Sequence, residues 1–333
     1  MRPTEKTGWL SKLLRFAPAA KTPRDYDFVF PPDFLGSLER LRLVALKAMG
    51  GGLREGHRLG AYKGGQLEFH GHRGYSPGDE LRYIDWNSYA RLGKPYVKEF
   101  AREEAGILHL LLDGTASMSL GRPTKWTFAR RVAALFSHVA TSSKDVAYVY
   151  VFRNGPELEQ YPRRGAKGGI RECLAFLEKC ELGTVAPAAG GAALAPSSDA
   201  LNTAVSSFLR HSPQRGRVMI ISDFWQEERE IVSAAARLSS AGFDVSAIHV
   251  LAKEEMMPQA EGELLARSVE DDGEVELSAG SDLLERYSRE LELHQRSIEE
   301  AFRKRGGNYL LTDSSISIER VLITTLRQRR FVM

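Results

Sequence analysis

The chain has 333 residues, roughly twice the ~150 that loosely correspond to one domain, which suits one large α/β domain or a domain with a sizeable appendage. Lys and Arg total 46 against 43 Asp and Glu, a formal charge of +3 that excludes both a uniformly basic nucleic-acid coat protein and an acidic disordered chain. At 43% hydrophobic and 27% charged residues the composition is ordinary for a globular protein and excludes collagen-like, coiled-coil and low-complexity architectures.

Residues 1–30 mix Pro, Lys and Arg with a short amphipathic patch at Trp9, Leu10, Leu13 and Leu14. They read as a mobile basic tail, the alternative being a helix that docks on a partner or a membrane surface. No secretory-type apolar core is present there, and the longest apolar runs, Val146–Phe152 and Val218–Ile221, fall far short of the ~20 residues that cross a bilayer. The expected location is the cytoplasm.

Pro31-Pro32-Asp33 opens a helical pattern over Phe34–Met49, with Leu35, Leu38, Leu41, Leu43 and Leu46 near helical spacing, and Gly50-Gly51-Gly52 stops it. From 52 to 102, glycines, aromatics and both signs of charge alternate without a helical period, which predicts short strands around a turn at Ser76-Pro77-Gly78-Asp79. Ile84 and Trp86 alternate with Asp85 as strand residues would, and residues 75–86 are expected to tie the N-terminal segment to the rest, with Trp86 buried in that role; the alternative is an exposed recognition surface. Arg73, Arg82, Arg91, Lys94, Lys98 and Arg102 are interleaved with Glu68, Asp79, Glu80, Asp85 and Glu99. That favours an internal polar network or a protein-docking surface over binding to phosphate backbones. His70 and His72, with His57 or Asp79, are a weak transition-metal candidate. The expected organisation is thus a tail at 1–30, a helix and short-strand segment at 31–102, and an α/β domain at 103–333.

After Glu104, strand and helix patterns alternate. Apolar runs at Ile107–Leu112, Val146–Phe152, Val218–Ser222 and Val245–Leu251 read as strands covered on both faces. Between and after them come helical patterns at Trp126–Val139, Gly169–Cys180, Asp199–Leu209, Ile231–Leu238, Leu284–Phe302 and Ile318–Leu326. Glu263–Leu277 suggests a hairpin, and Tyr309–Leu311 a further short strand. A doubly wound, mostly parallel sheet with helices on both faces follows. Cys173 and Cys180 stand seven residues apart on a helix, roughly 10 Å at ~1.5 Å per residue, too far for a disulfide, and read as core thiols.

Ligands in such sheets bind beyond the carboxyl ends of the strands. The first strand ends in Asp113-Gly-Thr115-Ala-Ser117, an acid and two hydroxyls at alternate positions, and a later one ends in Ile221-Ser222-Asp223. Such a set can offer oxygen ligands to a hard cation, Mg²⁺ or Mn²⁺, with the hydroxyls of Thr115 and Ser117 bound directly and the carboxylates acting largely through water. The alternative is structural: Asp113 and Asp223 cap neighbouring helices while the hydroxyls satisfy backbone amides. No Lys, base or nucleophile is evidently placed to act on a bound ligand.

Asp113-x-Thr115-x-Ser117 followed by a helix, with Ile-Ser-Asp223 later, resembles the metal-ion-dependent adhesion site of von Willebrand factor A domains. The block LEFHGHRGYSPGDELRYIDWNSYARLGKPYVKEF that precedes it resembles the signature of a bacterial and archaeal family of such domains, catalogued as the domain of unknown function number fifty-eight. The resemblance implies a von Willebrand A-like fold and a protein-binding or assembly role without catalysis. It also implies a partner, an AAA+ ATPase of the MoxR kind, with which such proteins are thought to mature or remodel a client complex. The chain has no G-x-x-x-x-G-K-[ST] loop, so ATP-driven work would fall to that partner. Many members carry N-terminal membrane spans, and no such span is read here. The loop that gives adhesion sites a further threonine falls on Ser198 or Asp199, with Thr184 a weaker candidate. The enzyme alternative is a serine hydrolase using Ser119, Asp223 and His249 in that chain order, although the first glycine of a nucleophile elbow is missing.

Overall fold

A computed structural model describes residues 16–17, 29–50, 67–102, 105–162, 169–183, 199–211, 214–258, 262–268, 274–279 and 281–327. The chain forms two compact units, one of residues 49–105 and one of residues 1–48 with 106–333. The amphipathic patch near Trp9, His57 and the Ala/Gly/Pro-rich stretch before Asp199 lie outside the described residues.

Strand β1 (Phe16–Ala17) and helix α1 (Phe34–Gly50) up to Ala48 belong to the larger unit. Helix α1 buries Phe34, Leu38, Leu41 and Ala45, spaced by three or four residues on one face, while Leu43 is exposed, so the apolar stripe is offset from the leucine pattern.

In the smaller unit, β2 (Leu67–Gly74) pairs antiparallel with β3 (Tyr96–Arg102), with a register shift between Phe69 and Gly71. The Ser76–Asp79 turn forms as expected. Gly78 sits at φ +108°, Asp79 N–H donates to Ser76 O at 3.0 Å, and the Asp79 carboxylate takes both Arg73 guanidinium nitrogens at 2.7 Å. The Arg73 hydrogen bonds and the Ser76 amide hold that carboxyl down at about 2. The strand expected through Trp86 is instead α2 (Trp86–Leu92). Asp85 explains the difference, because its carboxylate accepts from Asn87 N at 3.1 Å and Ser88 Oγ at 2.7 Å, an N-cap that turns the backbone into a helix, which Gly93 closes at φ 65°. Trp86 is 62% exposed, contrary to the expectation of burial. His72 Nε2 meets Asp85 Oδ2 at 2.7 Å. Among the described residues no group of three His, Cys, Asp or Glu side chains is placed to hold a metal.

The larger unit is the doubly wound sheet. Its elements are β4 (Ile107–Asp113), α3 (Lys125–Ser142), β5 (Val146–Phe152), β6 (Leu158–Tyr161), α4 (Ile170–Lys179), α5 (Ala200–His211), β7 (Arg217–Ser222), α6 (Glu228–Ser240), β8 (Asp244–Leu251), the one-turn α7 (Lys253–Met256), β9 (Gly262–Ser268), β10 (Glu274–Ala279), α8 (Ser281–Arg303), β11 (Tyr309–Asp313) and α9 (Ile318–Arg327). Six strands lie in the order β11-β8-β7-β4-β5-β6, all parallel except β6, which pairs antiparallel with β5 at one edge. The remaining strands form a small sheet, with β9 paired antiparallel to both β10 and β1.

Strand order reverses between β4 and β7, so the two carboxyl ends that carry Asp113 and Asp223 lie side by side at the switch point. Alternate residues of the strands serve the two layers. Leu111, Tyr150, Val218, Ile220, Val245 and Ala247 pack with Phe208, Ile231, Leu238 and Phe302 of α5, α6 and α8. The opposite face meets α3, which buries Phe128, Val132, Phe136 and Val139, and α3 in turn touches α4 and α9. Cys173 and Cys180 are free and buried, as expected. No helix among the described residues is long and apolar enough to cross a membrane.

Candidate metal centre

Asp113 ends β4 with no solvent exposure. Gly114 then passes close to β5, its N–H donating to Phe152 O at 2.8 Å, where a Cβ would stand 3.2 Å from the same carbonyl. The chain turns back through an extended Thr115 into a short 3₁₀ turn over Ala116–Ser119, anchored by fully buried Met118. This geometry folds the alternate oxygens together. Asp113 Oδ1 accepts from Thr115 N at 2.9 Å and Thr115 Oγ1 at 2.6 Å, and Thr115 Oγ1 lies 3.1 Å from Ser117 Oγ.

Strand β7 supplies the opposite wall. Ser222 Oγ donates to Asp113 Oδ2 at 2.6 Å and accepts from Phe224 N at 2.9 Å, and Gln226 Nε2 reaches Asp113 Oδ2 at 3.5 Å. Phe224 has φ +48°, a left-handed conformation rare for a non-glycine residue, and its carbonyl is held by His294 Nε2 at 2.8 Å. Asp223, between them, is wholly buried. Neither aspartate caps a helix: Thr124 caps α3, and no side chain caps α6. The capping alternative is therefore set aside, although Asp113 does hold the Thr115 amide.

A residue the sequence reading overlooked completes the charge pattern. Lys125, fully buried at the first position of α3, donates to Asp223 Oδ2 at 2.7 Å and to Glu255 Oε1 at 2.6 Å, so a lysine does stand in this site. Glu255 is fixed in turn by Trp225 Nε1 at 3.0 Å and Ala252 N at 2.6 Å. Burial pulls the Lys125 ammonium toward neutrality, but Asp223 and Glu255 together outweigh it and raise its pKa above the ordinary value. Burial and then the charge of Asp223 push the Asp113 carboxyl up to about 6, against the lowering effect of its hydrogen bonds to Ser222 and Thr115.

These groups fit a hard divalent cation. Of the three buried carboxylates, Asp223 and Glu255 share the ammonium of Lys125, while Asp113 is held by Thr115, Ser222 and Gln226; with all three ionised, these four groups carry a net charge of two negative units. Asp223 Oδ1 is buried with no hydrogen-bond partner among the described residues, a costly arrangement for an acceptor unless a cation engages it. With the hydroxyls of Thr115 and Ser117, the donor set is all oxygen, as Mg²⁺ and Mn²⁺ prefer. Asp199 is exposed at the start of α5, its carbonyl accepting Thr203 N at 3.0 Å, and no hydrogen bond among the described residues joins it to Asp113 or Asp223. Ser198 and Thr184 lie outside the described residues.

The hydrolase triad does not assemble. His249 Nδ1 pairs with Tyr309 Oη at 2.7 Å, burial holds its pKa well below the ordinary value, and the Asp223 carboxylate is engaged by Lys125. Ser119, at the exposed end of the 3₁₀ turn, has no hydrogen bond to His249.

A family model described as "Protein of unknown function DUF58" matches residues 71–297. Uncharacterized protein Mb1516 of Mycobacterium bovis and Uncharacterized protein Rv1480 of Mycobacterium tuberculosis are each 26% identical over 286 residues, covering 84% of this chain and 84% of theirs. Among solved structures, the conserved hypothetical protein BatB from Bacteroides thetaiotaomicron is 16% identical with a TM-score of 0.37, over 67% of this chain and 100% of that one. The SpRpn10 VWA domain is 12% identical with a TM-score of 0.37, over 66% of this chain and 94% of its own. The larger unit is an α/β domain with a mostly parallel six-stranded sheet and helices on both faces. The chain belongs to the DUF58 family.

Proposed function

We propose that this protein is a non-catalytic, cytoplasmic binding and assembly factor that grips an acidic residue of another protein through a divalent ion. Asp113, Thr115, Ser117 and Asp223, with a further ligand from Ser198 or Asp199, would hold Mg²⁺ or Mn²⁺. The observation that carries this reading is the buried Asp223 Oδ1, without a hydrogen-bond partner among the described residues, in a cluster whose carboxylates outnumber its ammonium. The hydroxyls of Thr115 and Ser117 bring no charge, so a bound ion keeps its attraction for an incoming carboxylate. Among the described residues, Lys125 is the only Lys or Arg paired with these carboxylates, and it is committed to Asp223 and Glu255.

The sequence resemblance names the partner class, a MoxR-type AAA+ ATPase, and the task, maturation or remodelling of a client complex. Analytical ultracentrifugation of the chain with the MoxR-type ATPase of its own genome tests both parts. A complex is expected in Mg²⁺ and should be lost in EDTA and in Ser117→Ala with the fold intact. Equal association constants in the two buffers would refute metal bridging.

A further inference from the structure

The side chain that most constrains this site is not one of its ligands. Lys125 opens α3, where the helix dipole disfavours a cation, and it is wholly buried, so Asp223 and Glu255 rather than the helix keep its charge there. Its ammonium takes one oxygen of Asp223 at 2.7 Å and leaves the other, Oδ1, without a hydrogen-bond partner among the described residues. Glu255, held at both oxygens by Lys125, Trp225 and Ala252, keeps the ammonium from swinging away.

Building on the divalent-ion reading, we infer that Lys125 is a resident counter-cation that positions Asp223 and weakens the site for a free metal ion, making tight binding depend on a carboxylate brought by the partner. A fixed ammonium bonded to a ligand carboxylate repels a second cation, and in a water-poor interior that repulsion is screened far less than in solvent. Glu255, which contacts the ammonium but is not itself a proposed ligand, offsets part of it.

Two substitutions of non-ligand residues should therefore shift affinity in opposite directions. Titrating Mn²⁺ into the whole chain, followed by electron paramagnetic resonance, should show Lys125→Met binding at least tenfold more tightly than wild type and Glu255→Gln at least threefold more weakly. A merely structural role for the cluster would weaken both. If both variants weaken, or both match a measurable wild-type affinity, the role of Lys125 is refuted while the metal site stands. If wild type binds no Mn²⁺, the metal reading and this inference fall together. Circular dichroism checks the fold. Should Lys125→Met not fold, Lys125→Gln carries the same expectation, and tighter or unchanged binding by Glu255→Gln overturns the inference on its own.

Discussion

Asp113→Asn should stabilise the metal-free protein, although it removes the side chain at the centre of the site. The Asp113 carboxyl is raised from 3.8 to about 6, chiefly by burial and then by Asp223. At ~1.4 kcal/mol per unit, keeping it ionised at neutral pH costs the folded state about 3 kcal/mol. Asparagine avoids that cost while keeping the polar contacts. Its oxygen accepts from Thr115 N and Oγ1 as Asp113 Oδ1 does, and its amide donates to Ser222 Oγ once that hydroxyl turns. The expected gain, after imperfect geometry, is about 1–3 kcal/mol, or roughly 2–10 °C in Tm for a domain of this size. The sign depends on pH. Because the folded pKa is raised, wild type loses stability as pH climbs from about 4 through about 6. The advantage of the variant is therefore absent below about 4, opens across that window and stays constant above it. Urea denaturation in EDTA at pH 4 and 7.5 measures both ends. In Mg²⁺ at ~1,000 times its Kd the order should reverse, since the ligand then adds about 4.1 kcal/mol to wild type alone, more than the variant gains. A variant less stable than wild type at pH 7.5 in EDTA would refute the claim that Asp113 bears uncompensated charge.

Three further outcomes follow from burial and bonding. Trp86→Ala should change stability by less than about 1 kcal/mol, whereas Trp126→Ala, at 4% exposure in α3, should cost about 3–5 kcal/mol by thermal melting. Burial pushes the Cys173 and Cys180 thiols up to about 11 and about 12, so iodoacetamide at pH 8 should label neither in the folded protein and both after unfolding, as mass spectrometry would show. Ser222→Ala should cost about 1–3 kcal/mol by urea denaturation, because it strips Asp113 Oδ2 of a 2.6 Å bond and leaves Phe224 N–H unsatisfied.

The parallel sheet was legible because its central strands are continuous apolar runs. Val146–Phe152 is a strand at those bounds, and β4, β7 and β8 differ by a residue from the runs that predicted them. The edge strand β6, Leu-Glu-Gln-Tyr, is short and half polar, and its antiparallel pairing with β5 leaves no such mark. Helix α2 did carry a signal, Asp85 before it and Gly93 after it, but seven residues give too little periodicity to outweigh the apparent alternation of Ile84, Asp85 and Trp86. At the site, Asp113, Thr115 and Ser117 are local in sequence, and Asp223 is marked by its place at a strand end. Lys125 and Glu255 had no such marker, since Lys125 meets its partners across 98 and 130 residues of chain. A lysine at the first position of a helix was the one available hint, because the helix dipole gives it no reason to be there.

Crystals grown with Mn²⁺ would test the central claim most directly, through an anomalous difference map at the manganese edge. The account predicts one strong peak about 2.0–2.3 Å from both Thr115 Oγ1 and Ser117 Oγ, beside Asp113 and Asp223 and absent in Asp113→Asn. A map at saturating Mn²⁺ with no peak there, or with the ion bound elsewhere on the chain, would contradict it.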